Sequence, residues 1–364
     1  MRGMSHPSQA LMALRSRIRP IIGLDIEPGS VAAAQVVVNG TVAVERAVSA
    51  PLEPGVVRDG EVAHPEGLSE VLRELWAAHK GLDKRVRIGV ANQRIVMRTL
   101  DLPPVDNAKD LAAAVRFSAQ DALPMPLNSA VLDFQPLARV DTPDGPRQRV
   151  VLVAARREMV DRVLAAVRGA GLRPEGIDLS AFAMVRALRR DEPGATLYLS
   201  VGGLTNLAVA DEVGCTFTRV SGGGLEAMSI ELAERHALTL EHSRGWLTHV
   251  GLDTPVEAVE GDPEVIAAAR GVLAEGARRI AVEVRASLDF HQAQPGASGA
   301  GVERVVLTGP AVAVPGFGAA LAAELGMPVQ ERLVPPAGKD AFAHADPARC
   351  AVAAGLAVSE VPGS

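Results

Sequence analysis

Two segments of this chain share one pattern: an apolar run, a turn of small residues and a second apolar run. The first is IIGLDIEPGSV, residues 21–31, and the second is LYLSVGGLTNL, residues 197–207. A β-hairpin with glycine at its turn directs backbone N–H groups toward one point, and such an array binds phosphate. Two hairpins of this kind predict two related domains that face each other across a nucleotide-sized cleft.

The composition agrees with a two-domain chain. It has 364 residues, of which 48% are hydrophobic, and this is enough for two medium-sized domains with cores of their own. A formal net charge of -6, one tyrosine and two tryptophans argue against a nucleic-acid partner, which needs a basic face and stacking rings. Cys215 and Cys350 match no metal or redox spacing and indicate a reducing compartment such as the cytoplasm.

The sequence carries no signal for crossing a membrane. No stretch reaches the roughly 18–20 uninterrupted apolar residues of a membrane-spanning helix, and none resembles a secretory signal. Residues 10–19, ALMALRSRIR, have the composition of a short basic amphipathic helix that touches anionic lipid. The simpler interpretation is a solvated lead-in to the first strand.

Hydrophobic periodicity divides the chain into two α/β domains and one insertion. Each domain begins with one of the two hairpins, and the longest helical pattern lies in the second domain. The predicted boundaries are 1–19 for the lead-in, 20–85 and 175–194 for the first domain, 86–174 for a small inserted α/β subdomain and 195–364 for the second domain.

Other patterns in the sequence are less specific. The run SGGG at 221–224 precedes a predicted helix, so it either offers N–H groups to an anion or forms a tight turn. The eight histidines show no zinc spacing, and no Ser-His-Asp arrangement can be argued.

A series of short motifs identifies a family resemblance. The most specific is MRTLDLP at 97–103, which runs into a predicted helix. The others are PMP at 124–126, DFQ at 133–135, VLVAAR at 151–156, AGL at 170–172, ID at 177–178, FTR at 217–219 and AAGLA at 353–357. In this order and spacing they resemble the PilM family of type IV pilus assembly proteins, which is actin-like and related to the cell-division protein FtsA. The resemblance covers nearly the whole chain.

The resemblance implies a two-domain actin-like ATPase fold with a small inserted α/β subdomain. It also implies a cytoplasmic adaptor that binds the N-terminal tail of a PilN-like inner-membrane protein and contacts the cytoplasmic pilus motor. We therefore expect the chain at the inner face of the cytoplasmic membrane, associated with it through partners and without nucleic acid.

The resemblance also implies a nucleotide site. In actin-like proteins an aspartate and glycines of the hairpins meet the phosphates and Mg²⁺, and Asp25 here has the position of the metal-binding residue. Glu283 and Ser287 would face the adenosine, although ordinary helix-surface positions are the simpler interpretation. The other residues of the implied site are Gly29, Ser30, Ser200, Gly202, Gly203, Thr205 and Gly309.

Several positions depart from the family pattern for nucleotide binding. Glu27 stands in place of a glycine, where its carboxylate would repel phosphate, and Pro28 removes an N–H from the turn. Ala32 stands in place of a lysine, Ser200 in place of an aspartate and Pro310 in place of a glycine. We expect that the protein is not an ATPase and that ATP and Mg²⁺ bind weakly or not at all.

By the same resemblance, a partner groove lies between the first domain and its insertion. An extended tail there would pair its main chain with a strand edge and place apolar side chains in pockets. Strands at 86–91 and 95–100 are predicted to pair around the turn at this place. The candidate residues are Asn92, Val96, Arg98 and Leu100. The alternatives are a core position for the apolar members and a structural ion pair for Arg98.

Three functions follow, and a non-catalytic adaptor of pilus assembly is the first. The second is an ATP-dependent actin-like switch with weak ATPase activity, in which Glu27 and Ser200 are tolerated. The third is an FtsA-like filament protein held at the membrane by its basic N-terminal segment. It ranks last because an FtsA-type anchor is expected at the C-terminus, where 357–364 shows no amphipathic pattern.

Overall fold

The fold was obtained as a computed structural model, which describes residues 21–105, 107–142, 145–212, 214–293 and 301–358. The predicted lead-in at 1–19, including the amphipathic pattern at 10–19, lies outside the described residues. Within the described ranges, every helix falls short of the length and apolarity that a membrane crossing requires.

The elements alternate between strands and helices. In chain order the strands are β1 (Ile22–Glu27), β2 (Ser30–Asn39), β3 (Thr41–Pro51), β4 (Val57–Arg58), β5 (Glu61–Val62), β6 (Arg85–Val90), β7 (Val96–Leu102), β8 (Ala130–Thr142), β9 (Gly145–Arg156), β10 (Arg173–Leu179), β11 (Thr196–Val201), β12 (Thr205–Ala210), β13 (Cys215–Ser221), β14 (Arg304–Thr308) and β15 (Val329–Glu331). The helices are α1 (Pro65–Ala78), α2 (Ala108–Ala122), α3 (Arg157–Gly169), α4 (Ser180–Leu188), α5 (Leu225–His236), α6 (Leu240–Val250), α7 (Pro263–Gln292), α8 (Phe317–Leu325) and α9 (Ala351–Ala357).

Two five-stranded sheets have the same topology. The first has the order β10-β6-β1-β2-β3 and the second β13-β12-β11-β14-β15. In each sheet three strands form an antiparallel meander, and the remaining two continue in parallel from its first strand. The turn at Asn39 and Gly40 joins β2 to β3, as that dipeptide predicts. The two hairpins therefore hold equivalent positions, which confirms the repeat seen in the sequence.

One helical layer lies between the two sheets. Met184 of α4 and Leu356 of α9 share an apolar cluster with Tyr198 of the second sheet and Ala34 of the first. The outer faces of the sheets are covered by α1 and α3 in the first domain and by α5 to α8 in the second. The α4–α9 layer thus belongs to both domains and positions one hairpin against the other.

The last part of the chain returns to the first sheet. Val44 N–H donates to the carbonyl of Pro335 at 2.8 Å, and Ala47 N–H donates to that of Ala341 at 2.8 Å. Helix α9 lies directly over β1, where a Cβ atom on Gly23 would be 1.9 Å from the Ala353 carbonyl oxygen. The predicted second domain, 195–364, included residues 335–358, but in the structure these residues contact the first sheet. They do so because the small residues of α9 fit against a glycine of that sheet.

The insertion is smaller than the predicted range 86–174. Strands β7, β9 and β8 form a three-stranded sheet, and α2 covers it through a core that includes Leu111 and Leu152. Elements β6, α3 and β10 instead complete the first domain, where Val163 and Leu72 share the core. The predicted pairing of 86–91 with 95–100 is wrong, since β6 pairs with β1 and β10 while β7 pairs with β9.

Candidate functional site

The first hairpin carries a buried carboxyl group. Asp25 is 6% exposed, and its Oδ1 atom has no hydrogen-bond partner among the described residues. Burial, together with the neighbouring charge of Glu27, raises the pKa of Asp25 well above its ordinary value. The raised pKa reflects the cost of burying this carboxylate without a partner for Oδ1 in the described part of the chain.

Glu27 joins the two hairpins. Its Oε2 atom accepts a hydrogen bond from the backbone N–H of Gly203, at 3.0 Å. Desolvation raises the pKa of Glu27, while the Gly203 N–H and the charge of Arg349 act in the opposite direction. A carboxylate of the protein thus takes an N–H of the glycine turn that a bound phosphate would use. We call this contact the carboxylate clasp.

The glycines of the second turn, Gly202 and Gly203, allow neighbouring segments, including the first hairpin, to pack closely against this turn. A Cβ atom on Gly203 would lie 2.3 Å from the carbonyl oxygen of Pro28. On the adjacent side, a Cβ atom on Gly202 would lie 3.0 Å from the ring of Pro310. These distances are shorter than van der Waals contact, so only glycine permits the two turns to approach this closely.

Protein groups also occupy the start of α5, after the SGGG run. Glu226 N–H donates to the carbonyl of Gly202 at 3.2 Å, and Ala227 N–H donates to that of Gly224 at 3.1 Å. The Glu226 carboxylate pairs with Arg244, with 2.9 Å between Oε2 and Nε, and lies against Gly29. The SGGG run therefore forms a turn whose following N–H groups bond within the protein.

Four further residues of the implied nucleotide site lie in or near the hairpins. Ser30 Oγ accepts a hydrogen bond from Arg349 at 2.8 Å, and a Cβ atom on Gly309 would lie 2.8 Å from Ser200 Oγ. Thr205 is buried, and its Oγ1 has no partner among the described residues. Sequence reasoning missed Arg349, because its proximity to the first hairpin arises only from the return of the C-terminal segment.

The two adenosine candidates lie on α7. Glu283 is exposed, and its Oε2 accepts a hydrogen bond from Ser221 Oγ. The simpler interpretation placed Ser287 on the helix surface. In the structure Ser287 is buried, with only 1% of its surface exposed. Its hydroxyl donates to the Glu283 carbonyl at 2.6 Å, which satisfies the group inside the same helix.

Groups of the protein itself occupy part of the implied nucleotide site. A phosphate would have to displace the Glu27 carboxylate, which has the same sign of charge, from the Gly203 N–H. Of the two hairpins, the first carries the carboxyl group of Asp25, and the second carries the neutral hydroxyl of Ser200. The departures noted in the sequence thus coincide with a cleft whose anion-binding groups are used by the protein.

A second candidate site is a groove of about 370 Å³ between the insertion and the second domain. Its walls are residues 95–99, around β7, and residues 216–220 of β13. Both strands lie at the end of their sheets, and consecutive residues line each wall, so strand edges rather than strand faces border the groove. The walls approach where Thr218 Oγ1 lies 3.7 Å from Met97 Sδ.

Three of the four predicted partner residues line this groove. Asn92 is buried and holds the turn below it, with Nδ2 donating to the Asp59 carbonyl at 2.6 Å. Val96 lines the groove and also packs on the core of the insertion. Arg98 is exposed, donates to the Met97 carbonyl and forms no ion pair with any described residue. Leu100 is not among the lining residues and packs on the core of the insertion.

Sequence reasoning missed one residue on the floor of the groove. Asn206 is 1% exposed, and neither its Nδ2 nor its Oδ1 has a hydrogen-bond partner within the described structure. The signal in the sequence was an amide side chain within an otherwise largely apolar strand, TNLAVA. In the structure this strand, β12, is buried along its whole length. On the rim, the ring of Phe290 is 52% exposed and lies 6.2 Å from that of Phe217.

Comparison with known proteins identifies the family. The family model described as Type IV pilus assembly protein PilM matches residues 23–221, which is more than half of the chain and includes both hairpins. The chain belongs to the PilM family. The predicted family is thereby confirmed, and the chain is a type IV pilus assembly protein by family.

Solved structures agree with this membership in the PilM family. The PilM-PilN type IV pilus biogenesis complex matches with a TM-score of 0.76 and 26% sequence identity, over 93% of this chain and 98% of that chain. The ethanolamine utilization protein EutJ from Carboxydothermus hydrogenoformans matches with a TM-score of 0.50 and 17% identity, over 96% of each chain. The second likeness concerns the fold alone. Together they confirm the predicted two-domain actin-like α/β fold.

Proposed function

We propose that this member of the PilM family is a non-hydrolysing adaptor that binds the cytoplasmic N-terminal tail of a PilN-like inner-membrane protein. The solved complex of a PilM protein with PilN, similar over 93% of this chain, supports the choice of partner. In this role the protein works in the cytoplasm at the inner face of the membrane. It associates with the membrane through its partner and links the inner-membrane platform to cytoplasmic motor components.

The open edge of β7 is the observation that carries the proposal. Residues 95–99 border the groove consecutively, and within the described part of the chain β7 has a sheet neighbour only on its β9 side. An unpaired strand edge binds an extended peptide by main-chain hydrogen bonds, and adjacent pockets accept alternate side chains. Asn92, Val96 and Arg98 line this edge, and Leu100 holds β7 against the core of the insertion.

The carboxylate clasp supports the absence of catalysis. ATP hydrolysis in an actin-like cleft needs phosphates in the glycine turns and an ordered Mg²⁺ ion. Here Glu27 bonds the Gly203 N–H, and Ala32 and Ser200 lack the charges of the family pattern. The two hairpins are thereby held together without nucleotide.

Calorimetric titration of the protein, first with a synthetic peptide of the PilN-like tail and then with ATP and Mg²⁺, tests the proposal. We expect the peptide to bind and ATP to give no heat of binding. A peptide that does not bind would contradict the adaptor function. ATP turnover well above background, abolished by Asp25→Ala, would contradict the absence of catalysis.

An ATP-dependent switch is the second candidate function. The buried, unpartnered Oδ1 of Asp25 favours it, because an aspartate at this position is the metal-binding group of an actin-like site. In that case ATP and Mg²⁺ would bind in the same titration, and their presence would change the affinity for the tail peptide.

A further inference from the structure

We infer that Asn206 binds the main chain of the docked tail, so that the tail bridges the insertion and the second domain. This inference rests on the proposed function and extends it across the groove. It adds a recognition residue from β12 and a second strand edge, that of β13, to a site that family resemblance places on the first domain alone.

Asn206 has the properties of a group that awaits a partner. Its side chain is 1% exposed on the groove floor, and both amide atoms lack a hydrogen-bond partner among the described residues. Buried polar groups in proteins are nearly always paired, since an unpaired one costs free energy of folding. The exception at Asn206 therefore needs an explanation, and a ligand that supplies both a donor and an acceptor provides it.

The amide of Asn206 matches a peptide main chain. Its Oδ1 can accept two hydrogen bonds and its Nδ2 can donate two, so one side chain can meet an N–H and a C=O of an extended segment. A main chain in the groove would also run alongside β7 and β13, whose outer edges have no strand neighbour among the residues that the structure describes. All three features recognise backbone groups, and this makes an extended peptide the occupant that the groove fits.

The side chains around Asn206 indicate which side chains the bound peptide carries. Phe217 and Phe290 lie on the second-domain side of the groove, while Leu179 and Ala181 lie near its floor. These residues offer apolar contacts beside the polar main-chain partners. We therefore expect apolar side chains in the part of the tail that lies over Asn206.

The test compares two variants at buried polar residues of the second sheet. Asn206→Ala removes the amide, whereas Thr308→Val removes a buried hydroxyl of β14 that has no partner among the described residues and does not line the groove. We expect Asn206→Ala to weaken binding of the tail peptide by about tenfold, because one or two buried hydrogen bonds are lost. Thr308→Val should leave the affinity unchanged.

Thermal denaturation separates recognition from a structural role. The amide of Asn206 has no hydrogen-bond partner among the described residues, so Asn206→Ala should lower the melting temperature only through the packing lost on truncation, about as much as Thr308→Val does. A much larger fall for Asn206→Ala than for Thr308→Val would indicate that the amide is paired inside the free protein and would overturn the inference.

Hydrogen exchange, measured with and without the tail peptide, shows whether the peptide also contacts β13, the second wall of the groove. We expect new protection of amides in residues 216–220 as well as in 95–99. Protection of 95–99 alone, with unchanged affinity in Asn206→Ala, would overturn this inference and leave the adaptor proposal standing. If the parent protein does not bind the peptide, both the adaptor proposal and the inference about Asn206 are overturned. The same holds if the groove instead binds a second copy of this chain and Asn206→Ala abolishes that self-association.

Discussion

Glu27 and Gly203 connect the two actin-like domains through one hydrogen bond, from the Gly203 N–H to Oε2 at 3.0 Å. The two residues belong to equivalent hairpins of the repeat, and a glycine turn of this kind can bind an anion. Here the turn at Gly203 binds a carboxyl group of the opposite hairpin. The clasp thereby joins the two domains.

Removal of the clasp should restore part of the anion site. Glu27→Gly frees the Gly203 N–H and removes a negative charge, so we expect the affinity for Mg²⁺-ATP to rise by about tenfold or more. The melting temperature should fall, because a bond between the domains is lost. Glu27→Gln is the matched control, since it keeps an acceptor for Gly203 and removes only the charge. Equal ATP affinity in the parent and Glu27→Gly, by calorimetry, would contradict the clasp.

The raised pKa of Asp25 predicts a pH dependence of stability. The folded protein keeps the Asp25 proton to a higher pH than the unfolded chain does. The contribution of Asp25 to the free energy of unfolding therefore falls as the pH rises from the ordinary pKa of aspartate through the raised pKa. Asp25→Asn should therefore raise the free energy of unfolding at pH 7.5 by about 1 kcal/mol or more, and the gain should shrink toward pH 4. Urea denaturation at both values measures it. A variant that is less stable than the parent at both pH values would show that the ionised carboxylate is stabilising.

Gly355 is required for the packing of α9 on α4. A Cβ atom there would lie 1.8 Å from the Ala183 carbonyl oxygen, which is a backbone atom and cannot move aside alone. Gly355→Ala should cost about 3 kcal/mol or more of unfolding free energy, or prevent folding. Gly271→Ala on α7 is the matched control, because its Cβ meets nothing within 4 Å and alanine favours a helix by about 1 kcal/mol. Equal melting temperatures for the two variants would refute the packing argument.

Arg98 tests the first wall of the groove. Its guanidinium is exposed and forms no ion pair with a described residue, so it can donate to carbonyls of the tail. Arg98→Glu replaces donors with acceptors and should weaken peptide binding by about fivefold or more. Arg116→Glu, at an exposed position of α2 away from the groove, should bind as the parent does. If fluorescence anisotropy shows equal affinities for both variants, Arg98 does not contact the tail.

Much of the fold could be predicted from local patterns. The alternation of apolar residues and the Asn39-Gly40 turn predicted the meander, and the repeated hairpin predicted two equivalent sheets. The helix predicted after MRTLDLP is α2, and it ends before Pro124 because the residue that precedes a proline disfavours helical backbone. The pairing of β6 with β7 was predicted wrongly, since strand partners are chosen by packing across the whole domain and not by sequence proximity.

The sequence by itself determined the two hairpins, the family and the chemical departures at Glu27, Ser200 and Pro310, because these depend on residue type and local spacing. Only the tertiary structure decided that Glu27 bonds Gly203, that residues 335–358 return to the first sheet and that Asn206 lies unpartnered between two strand edges. The physical reason is that hydrogen-bond satisfaction is a property of the folded molecule. A residue's partners come from segments far away in the chain, and packing alone brings them together or leaves them apart.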